Sequence, residues 1–130
     1  ALRIQQKMRL LTHNMLASNV KGVVNGFPLR IEVTVKEELE VEFHAGFLVN
    51  TLAKIEWAAF KEAAASIGLG ELPEAVPVDA EVDEDFLRAF HHALLEVHIK
   101  DGFLVCPESG RRFPITKGIP NMLLNEDEVA

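Results

Sequence analysis

Cys106 is the residue of this chain best suited to bind a metal or act as a nucleophile, and the residue types and spacing around it resemble a zinc knuckle. In the segment Cys106-Pro107-Glu108-Ser109-Gly110, a serine stands three residues after the cysteine, where a structural zinc site would have a second thiol. Near the N-terminus, Ser18 and Val23 occupy the stretch that could supply the other pair of ligands. Valine cannot coordinate a metal, so no metal site is predicted and Cys106 is expected to be a small buried hydrophobic residue.

The histidines add little support for a metal site. His91 and His92 are adjacent, and side chains of adjacent helical residues diverge by about 100°, so they do not form the i, i+4 pair that binds one metal. One of them is expected to face the edge of the core and the other the solvent. His98 is predicted to point outward from its strand and His44 to lie in a loop. For His13, capping of a local turn and a functional contact both stay open.

No arrangement for catalysis is visible either. Nucleophilic catalysis needs a cysteine or serine with a histidine and an orienting acid, and nothing near Cys106 signals such activation. The sequence has no Gly-x-Ser-x-Gly elbow, and no Gly-x-Gly-x-x-Gly turn or phosphate loop that would hold a nucleotide or S-adenosylmethionine. We therefore predict a protein that is not an enzyme, with no catalytic residues and no cofactor.

Charge and composition narrow the functional classes. Of the 130 residues, 48% are hydrophobic and 25% are charged, which suffices for one packed domain. The formal net charge of -7 argues against a protein that binds nucleic acid without a partner, because phosphate neutralisation needs clustered Lys and Arg. The small basic cluster Arg111, Arg112 and Lys117 keeps one alternative open, a free-standing RNA-binding ribbon module. A single cysteine allows no internal disulfide and favours a reducing compartment.

Hydrophobic patterning predicts the elements of the N-terminal half. Met8–Leu11 is expected to be a brief strand followed by a turn or a single helical turn. Residues 29–35 alternate between apolar and polar, as a half-buried strand does. Lys36–Glu38 is expected to be a charged turn. Apolar residues then recur at helical spacing between Phe47 and Ile67, and Gly68 is expected to end that helix.

The C-terminal half begins with a helix that Asp83 is predicted to cap. Its apolar face consists of Phe86, Leu87, Phe90, Ala93 and Leu94. The pair Asp101-Gly102 stands between two alternating segments and predicts a hairpin within residues 97–105, because a two-residue turn needs positive φ. A strand near Arg112–Ile115 and a terminal extended segment at Ile119–Leu124 follow, and the acidic tail is expected to fray.

This order of strands, helices and further strands predicts an α+β fold. We expect a zinc-ribbon-like antiparallel sheet that is built from the N- and C-terminal strands and has lost its metal site. The ribbon-like β domain would comprise residues 8–43 and 96–125, with residues 44–95 inserted as a helical subdomain. Residues 1–7 lack the apolar stretch of a signal peptide and are expected to be leader residues before a natural start. Residues 126–130 form the acidic tail.

The final apolar run, Ile119–Leu124, has too many successive hydrophobic residues for a terminal strand with one solvent-exposed face. Pro120 removes a backbone donor, which fits an edge strand. An exposed apolar edge invites aggregation unless a specific partner pairs with it. An internal strand covered by the helices and strand addition to another protein both stay open, and we favour the second.

Several segments together resemble a known family. In chain order they are Met8 to Leu16, Gly26-Phe27-Pro28-Leu29, Ile55-Glu56-Trp57, His91 to Glu96, and Cys106-Pro107-Glu108-Ser109-Gly110 through Gly118-Ile119-Pro120-Asn121-Met122-Leu123-Leu124. They resemble the eukaryotic multifunctional methyltransferase activator subunit, a small protein shared by several S-adenosylmethionine-dependent methyltransferases. The resemblance runs in the same order from Met8 to the end of the chain.

The resemblance implies a non-catalytic subunit that forms heterodimers with methyltransferases acting on tRNA, on small-subunit rRNA and on the translation release factor. It implies contact with RNA only through the complex, and a location in the cytoplasm and nucleus. It also implies binding by a β-zipper, in which a strand of the activator extends the sheet of the catalytic domain. Carried onto this sequence, the partner-binding residues are Gly118, Ile119, Pro120, Asn121, Met122 and Leu123, flanked by Thr12, His13, Asn14 and Met15.

Zinc is the one family feature that we do not carry over. Some members of that family hold the metal through four cysteines. The corresponding positions here are Ser18, Val23, Cys106 and Ser109, which supply one thiol. We therefore expect packing and the surface buried by a partner to replace the stabilisation that zinc would give.

Overall fold

One antiparallel sheet and a layer of short helices make up the described part of the chain. The computed structural model describes residues 7–70 and 72–129, so residues 1–6 of the expected leader lie outside it. The helices are α1 (Leu10–His13), α2 (Ala45–Leu52), α3 (Trp57–Ser66) and α4 (Glu84–His91). The strands are β1 (Arg30–Glu38), β2 (Val97–Val105), β3 (Arg112–Thr116) and β4 (Ile119–Pro120), in the spatial order β1-β2-β3-β4. The predicted α+β class is confirmed.

The hydrophobic core joins the helices to the sheet. Phe60 of α3, Phe90 of α4 and Phe113 of β3 are all fully buried and belong to one cluster. The predicted apolar face of α4 is buried as well, and it continues into a π-helical turn at His92–Glu96. None of the helices that the structure describes is both long and apolar enough to cross a membrane.

Strand β1 is longer than its alternating pattern predicts. Ile31 and Val33 are half-buried while Arg30 and Glu32 are exposed, as the pattern requires, but Val35 is exposed where the register with β2 is irregular. The expected charged turn at Lys36–Glu38 is wrong, because these residues continue β1 and pair with Ile99, His98 and Val97 of β2. A strand with one exposed edge tolerates charged side chains, so their polarity does not mark its end.

The predicted hairpin at Asp101-Gly102 is also wrong. Both residues lie inside the continuous strand β2, where Gly102 is opposite Val33 at an irregularity in the β1–β2 register. A Cβ on Gly102 would lie 2.1 Å from the carbonyl oxygen of Glu32, so glycine is required here by the close approach of β1. The prediction that His98 points outward rested on the same hairpin and is wrong too, because His98 is buried in the structure.

A tight two-residue hairpin turn is present instead at Lys117-Gly118. Both residues have positive φ, 54° and 80°, as a two-residue turn between antiparallel strands requires. The turn connects β3 to β4, in which Thr116 pairs with Ile119 and Ile115 pairs with Pro120. Lysine rather than asparagine or glycine stands at the first position, which explains why the turn is weak as a sequence signal.

The long helix predicted between Phe47 and Ile67 is two helices, α2 and α3. The side chain of Asn14 stabilises the break between these two helices. Its Oδ1 accepts from the Glu56 amide at 2.9 Å, and its Nδ2 donates to the Glu56 carbonyl at 3.1 Å. Glu56 then caps α3 by accepting from the Ala58 amide. The predicted cap of α4 is confirmed, since Asp83 accepts from the amide of Phe86 at 3.0 Å.

Candidate partner-binding surface

The predicted partner strand begins at the tight turn between β3 and β4. Gly118 is buried, and both of its backbone groups are used within the chain. Its amide donates to the Lys100 carbonyl at 2.8 Å, and its carbonyl accepts from the Met8 amide at 2.7 Å. The turn is therefore anchored on the neighbouring strand β2 and on the N-terminal segment, and Ile119 leaves it as the first residue of β4.

Met8 connects this turn to the second predicted contact segment. The Met8 amide donates to Gly118, and its carbonyl accepts from the Ile99 amide at 2.9 Å. The expected strand at Met8–Leu11 is thus reduced to one paired residue, because α1 begins at Leu10. Only a few residues separate Met8 from Thr12–Met15 at the end of α1. This segment is therefore held near the β3–β4 hairpin.

Three of the four predicted residues in this second segment are buried and bonded within the chain. Thr12 Oγ1 donates to the Lys7 carbonyl at 2.6 Å, and Asn14 holds Glu56 as described above. His13 Nε2 lies 2.6 Å from the Leu29 carbonyl, which can only accept, so Nε2 carries the proton. Met15 differs, since its side chain is 66% exposed.

Burial sets the charge state of His13. Desolvation lowers its pKa, and this outweighs the hydrogen bond to Leu29 and the attraction of Glu62, both of which raise it. The imidazole is therefore neutral at neutral pH, consistent with a buried donor that fixes the start of β1. This bond reaches 16 residues along the chain, so it joins α1 to the segment before β1 and is not the capping of a local turn.

Strand pairing extends slightly beyond Pro120 and then stops. The Asn121 amide donates to the Pro114 carbonyl at 2.9 Å, which continues the register of the β3–β4 pair. At Leu123 the amide instead donates to the Asn121 side chain, at 3.0 Å. The extended segment predicted to reach Leu124 is therefore a strand only at Ile119–Pro120. Met122 is half-buried and Leu123 is 78% exposed.

The Cys106 knuckle forms a polar cluster at the end of β2. Cys106 is buried, as predicted, and its sulfur accepts from the Ser109 amide at 3.3 Å. Burial raises the pKa of the thiol, but its polar neighbours, the hydroxyls of Ser109 and Ser18 and the amides of Ser109 and Glu108, outweigh burial and lower the pKa to about 7. The fold thus brings Ser18, Cys106 and Ser109 together, and Cys106 is more polar in behaviour than a simple hydrophobic residue.

Metal-ligand groups do not assemble in the described ranges. Among residues 7–70 and 72–129, no group of three or more histidine, cysteine, aspartate or glutamate side chains could hold a metal ion. His91 and His92 diverge as expected: the first is buried and bonds the Val41 carbonyl at 2.8 Å, while the half-exposed second bonds Glu96 at 2.9 Å. His44 is exposed and directly precedes α2.

Arg111 and Glu128, which the sequence assigned to a basic cluster and to a solvated tail, both contribute to this surface. Arg111 binds Glu128 through two nitrogens, at 2.6 Å and 3.1 Å, and it also donates to the Leu123 carbonyl at 3.3 Å. The Lys21 amide donates to the Glu128 carbonyl at 2.7 Å, and Val20 bridges to Val129. The tail up to Val129 is therefore docked, and the expectation that it frays is wrong. Its sequence signal is the capping box that Asn125 and Glu128 form.

The same contacts weaken the RNA-binding alternative. Of the three basic residues in the cluster, Arg111 is paired with Glu128 and Arg112 is paired with Glu32 at 2.6 Å. Only Lys117 has no ion pair among the residues that the structure describes. Paired guanidinium groups offer little charge for phosphate neutralisation.

A small α+β module with a short edge strand next to exposed apolar side chains is typical of a binding subunit. The sequence identifies which one: residues 9–118 match the family described as Trm112p-like protein, and the chain belongs to this family. The multifunctional methyltransferase subunit TRM112 homolog A of Arabidopsis thaliana is 60% identical over 94% of this chain and 100% of that relative. TRM112 of Saccharomyces cerevisiae is 31% identical over 90% of this chain and 96% of that relative.

The fold agrees with this assignment. A chain of the solved Mtq2–Trm112 complex of E. cuniculi, which is responsible for methylation of the translation termination factor eRF1, superimposes with a TM-score of 0.55. The match covers 89% of this chain and 95% of that one, at 18% sequence identity. At that identity the likeness shows a shared fold.

Proposed function

We propose that this protein is a non-catalytic activator subunit that binds and stabilises S-adenosylmethionine-dependent methyltransferases. The observation that carries the proposal is family membership, with relatives named methyltransferase subunits that match over nearly their whole length. The methyltransferases meant are those that act on tRNA, on small-subunit rRNA and on the translation release factor. RNA is then contacted only through the complex, in the cytoplasm and the nucleus.

The free edge of β4 supplies the mode of binding. β4 and β1 are the two edge strands of the sheet, and Pro120 leaves a gap in the donors of β4. A partner strand that adds beside Ile119–Leu123 gains main-chain hydrogen bonds, and the exposed side chains of Leu123 and Met15 add apolar contact. The buried residues Thr12, His13 and Asn14 contribute by holding the segment that presents Met15.

Activation follows from mass action. A subunit that binds only the folded methyltransferase stabilises it by RT ln(1 + [L]/Kd), which is roughly 4 kcal/mol when the subunit is at a thousand times Kd. The chain itself needs no catalytic group for this effect. We expect the isolated protein to show no methyl transfer and no binding of S-adenosylmethionine by isothermal titration calorimetry.

A ribbon-like origin of the sheet is part of the proposal. In it, residues 8–43 and 96–125 form a β domain that has lost its metal, residues 44–95 are an inserted helical subdomain, and residues 1–7 are a leader. The grouping of Ser18, Cys106 and Ser109 supports a knuckle whose ligand positions persist without the metal.

Co-expression with a methyltransferase homologous to Mtq2 from the same organism tests the proposal. The pair Asn121→Asp and Met122→Asp, and separately Leu123→Asp, should leave that methyltransferase insoluble and inactive, because a carboxylate at the edge repels an added apolar strand. Leu123 is mostly exposed, so its replacement cannot act through the core. The matched control is Val35→Asp on the opposite edge strand β1, where the side chain is 46% exposed.

The control variant should support a soluble, active enzyme. A soluble and active enzyme with both β4 variants would show that the partner does not bind this edge. Loss of activity with the Val35 variant alone would move the interface to β1.

A further inference from the structure

We infer that Arg111 is a positioning residue for partner binding: its guanidinium completes the sheet beside Leu123 and so presents the outer edge of residues 120–122 to the added strand. The inference rests on the proposed function. It starts from the register of β3 and β4, which sets the residues that face each other at the place where the ladder ends.

The register predicts which backbone groups point toward β3. Thr116 pairs with Ile119, and the Asn121 amide donates to Pro114, so every second residue of the C-terminal segment bonds inward. Continued by two residues, the same register puts Leu123 opposite Arg112. Pro120 and Met122 alternate with these residues, so their backbone groups face away from β3.

The expected bonds between Leu123 and Arg112 are replaced by side chains. Arg111 Nη2 donates to the Leu123 carbonyl and Arg111 Nη1 donates to the Arg112 carbonyl, so one guanidinium bridges the two strands. The Leu123 amide is satisfied by Asn121 Oδ1. The Leu123 amide and carbonyl and the Arg112 carbonyl are therefore all bonded to side chains, and the segment stays beside β3 although the ladder has ended.

Glu128 and Phe113 hold the guanidinium in that place. Glu128 accepts from Arg111 through both carboxylate oxygens, and it is itself fixed by the Asn125 amide at 2.8 Å. The Arg111 guanidinium carbon lies 4.8 Å from the centre of the Phe113 ring. Two parallel bonds and a stacked ring fix the orientation of a planar group in a way that a single charge does not.

The outer edge is left available by this arrangement. The Met122 amide and carbonyl have no hydrogen-bond partner within residues 7–70 and 72–129. An added strand that finds its backbone partners already aligned loses less conformational entropy on binding, and this raises affinity without any new contact. Arg111 therefore acts on the partner through Leu123 and Met122, not through a contact of its own.

Competition for a preformed heterodimer tests this role. A complex of fluorescently labelled wild-type chain with the Mtq2-like methyltransferase is brought to equilibrium with increasing unlabelled competitor. Arg111→Met should need about tenfold more protein than the wild type to displace half of the label. Arg112→Met is the matched control: it removes the same charge one residue away, from an arginine that bonds Glu32 and stacks on Phe103, and should stay within about twofold.

Two further variants separate positioning from charge. Arg111→Lys keeps the charge beside Glu128 but lacks the planar fork whose separate nitrogens reach Glu128, Leu123 and Arg112 at once, so it should resemble Arg111→Met. In the isolated chain, hydrogen exchange by NMR should be faster at the Leu123 amide in Arg111→Met, with β2 amides unchanged. Equal effects of the Arg111 and Arg112 replacements, or full competition by Arg111→Lys, would overturn the inference.

The outcome for Leu123→Asp keeps the two proposals apart. If that variant competes as well as the wild type, the proposed edge is wrong. If it fails to compete while Arg111→Met competes normally, the edge is right and only the positioning role of Arg111 is wrong.

Discussion

The helical layer and the knuckle end of the sheet are held together by different kinds of interaction. In the helical layer, Trp57, Phe60, Phe86 and Phe90 form an aromatic cluster whose neighbouring ring centres are 5.3 Å to 6.1 Å apart. We define the knuckle end as residues 18–26, 106–112 and 121–129. Hydrogen bonds join these segments to one another. Glu108, for example, accepts from the amides of Val24 and Asn25.

The difference has a consequence for function. Apolar burial is non-directional and depends on area, so the helical layer stabilises the fold without fixing any one bond. Hydrogen bonds and bidentate ion pairs fix distances and angles, and the knuckle end uses them beside the proposed partner edge. We conclude that apolar packing stabilises the helical layer and that directional hydrogen bonds at the knuckle end set the shape of the surface.

Removal of a core aromatic ring should produce the largest effect on stability. Phe90 is fully buried and contacts Phe60 edge to face at 5.3 Å, so Phe90→Ala should lower the free energy of unfolding by about 3–5 kcal/mol. Urea denaturation followed by circular dichroism measures the change. Phe47→Ala on α2 is the control, because that ring is 46% exposed and should cost less than about 1 kcal/mol. Similar losses in both variants would contradict the assignment of the core.

A glycine at the knuckle end should give a smaller loss through a different mechanism. A Cβ on Gly26 would lie 2.3 Å from the carbonyl oxygen of Ser18, whose amide donates to the Gly26 carbonyl at 2.8 Å. Gly26→Ala must therefore push two backbone segments apart, at a cost of about 1–3 kcal/mol in unfolding free energy.

The control for that glycine lies in the helical layer. Gly46 is in α2, and a Cβ added to it would meet no neighbouring atom within 4 Å, so Gly46→Ala should stabilise the protein by up to about 1 kcal/mol. Urea unfolding of the two variants under identical conditions should show changes of opposite sign. A neutral Gly26→Ala would show that the knuckle end is not closely packed.

The same contrast explains which elements were predictable from sequence. Strand β1, the apolar face of α4 and the Asp83 cap follow from periodicity and capping chemistry, both of which are local. The turn at Asp101-Gly102 failed because the need for glycine came from a neighbouring strand, which the local pattern does not contain. The split between α2 and α3 failed for the same reason, since Asn14 imposes it from a distance.

The candidate site was predictable only in part. The apolar run after Gly118 marked the edge strand, but its length was overestimated because pairing with β3 ends at the Asn121 amide and Leu123 bonds to side chains. The role of Arg111 depends on Glu128, which is distant in sequence and lay in a tail that composition alone marks as solvated. Only the spacing of Asn125 and Glu128 signalled an ordered end.

The smallest expected effect is the pH dependence of stability that comes from Cys106 at the knuckle end. The pKa of Cys106 is about 7 in the folded chain, against about 8.5 for an unperturbed thiol, so the unfolded state binds more protons between these values. Stability therefore rises with pH in this window, is fully gained above about pH 8.5, and is lost as the pH falls through 7. Between pH 6.5 and 8 the gain should be about 1 kcal/mol in the free energy of unfolding.

Urea midpoints at several pH values in that range, with a reducing agent present, measure this slope. His13 and His98 add a slope of the same sign up to about pH 7.5, because burial lowers the pKa of both in the folded chain while the unfolded chain keeps its histidines near about 6.5. Above about pH 7.5 the slope belongs to Cys106, so Cys106→Ala should remove it there, whereas Phe90→Leu should lower every midpoint and keep it. A slope above about pH 7.5 that survives in Cys106→Ala would mean that the polar groups around the thiol do not hold it as a thiolate.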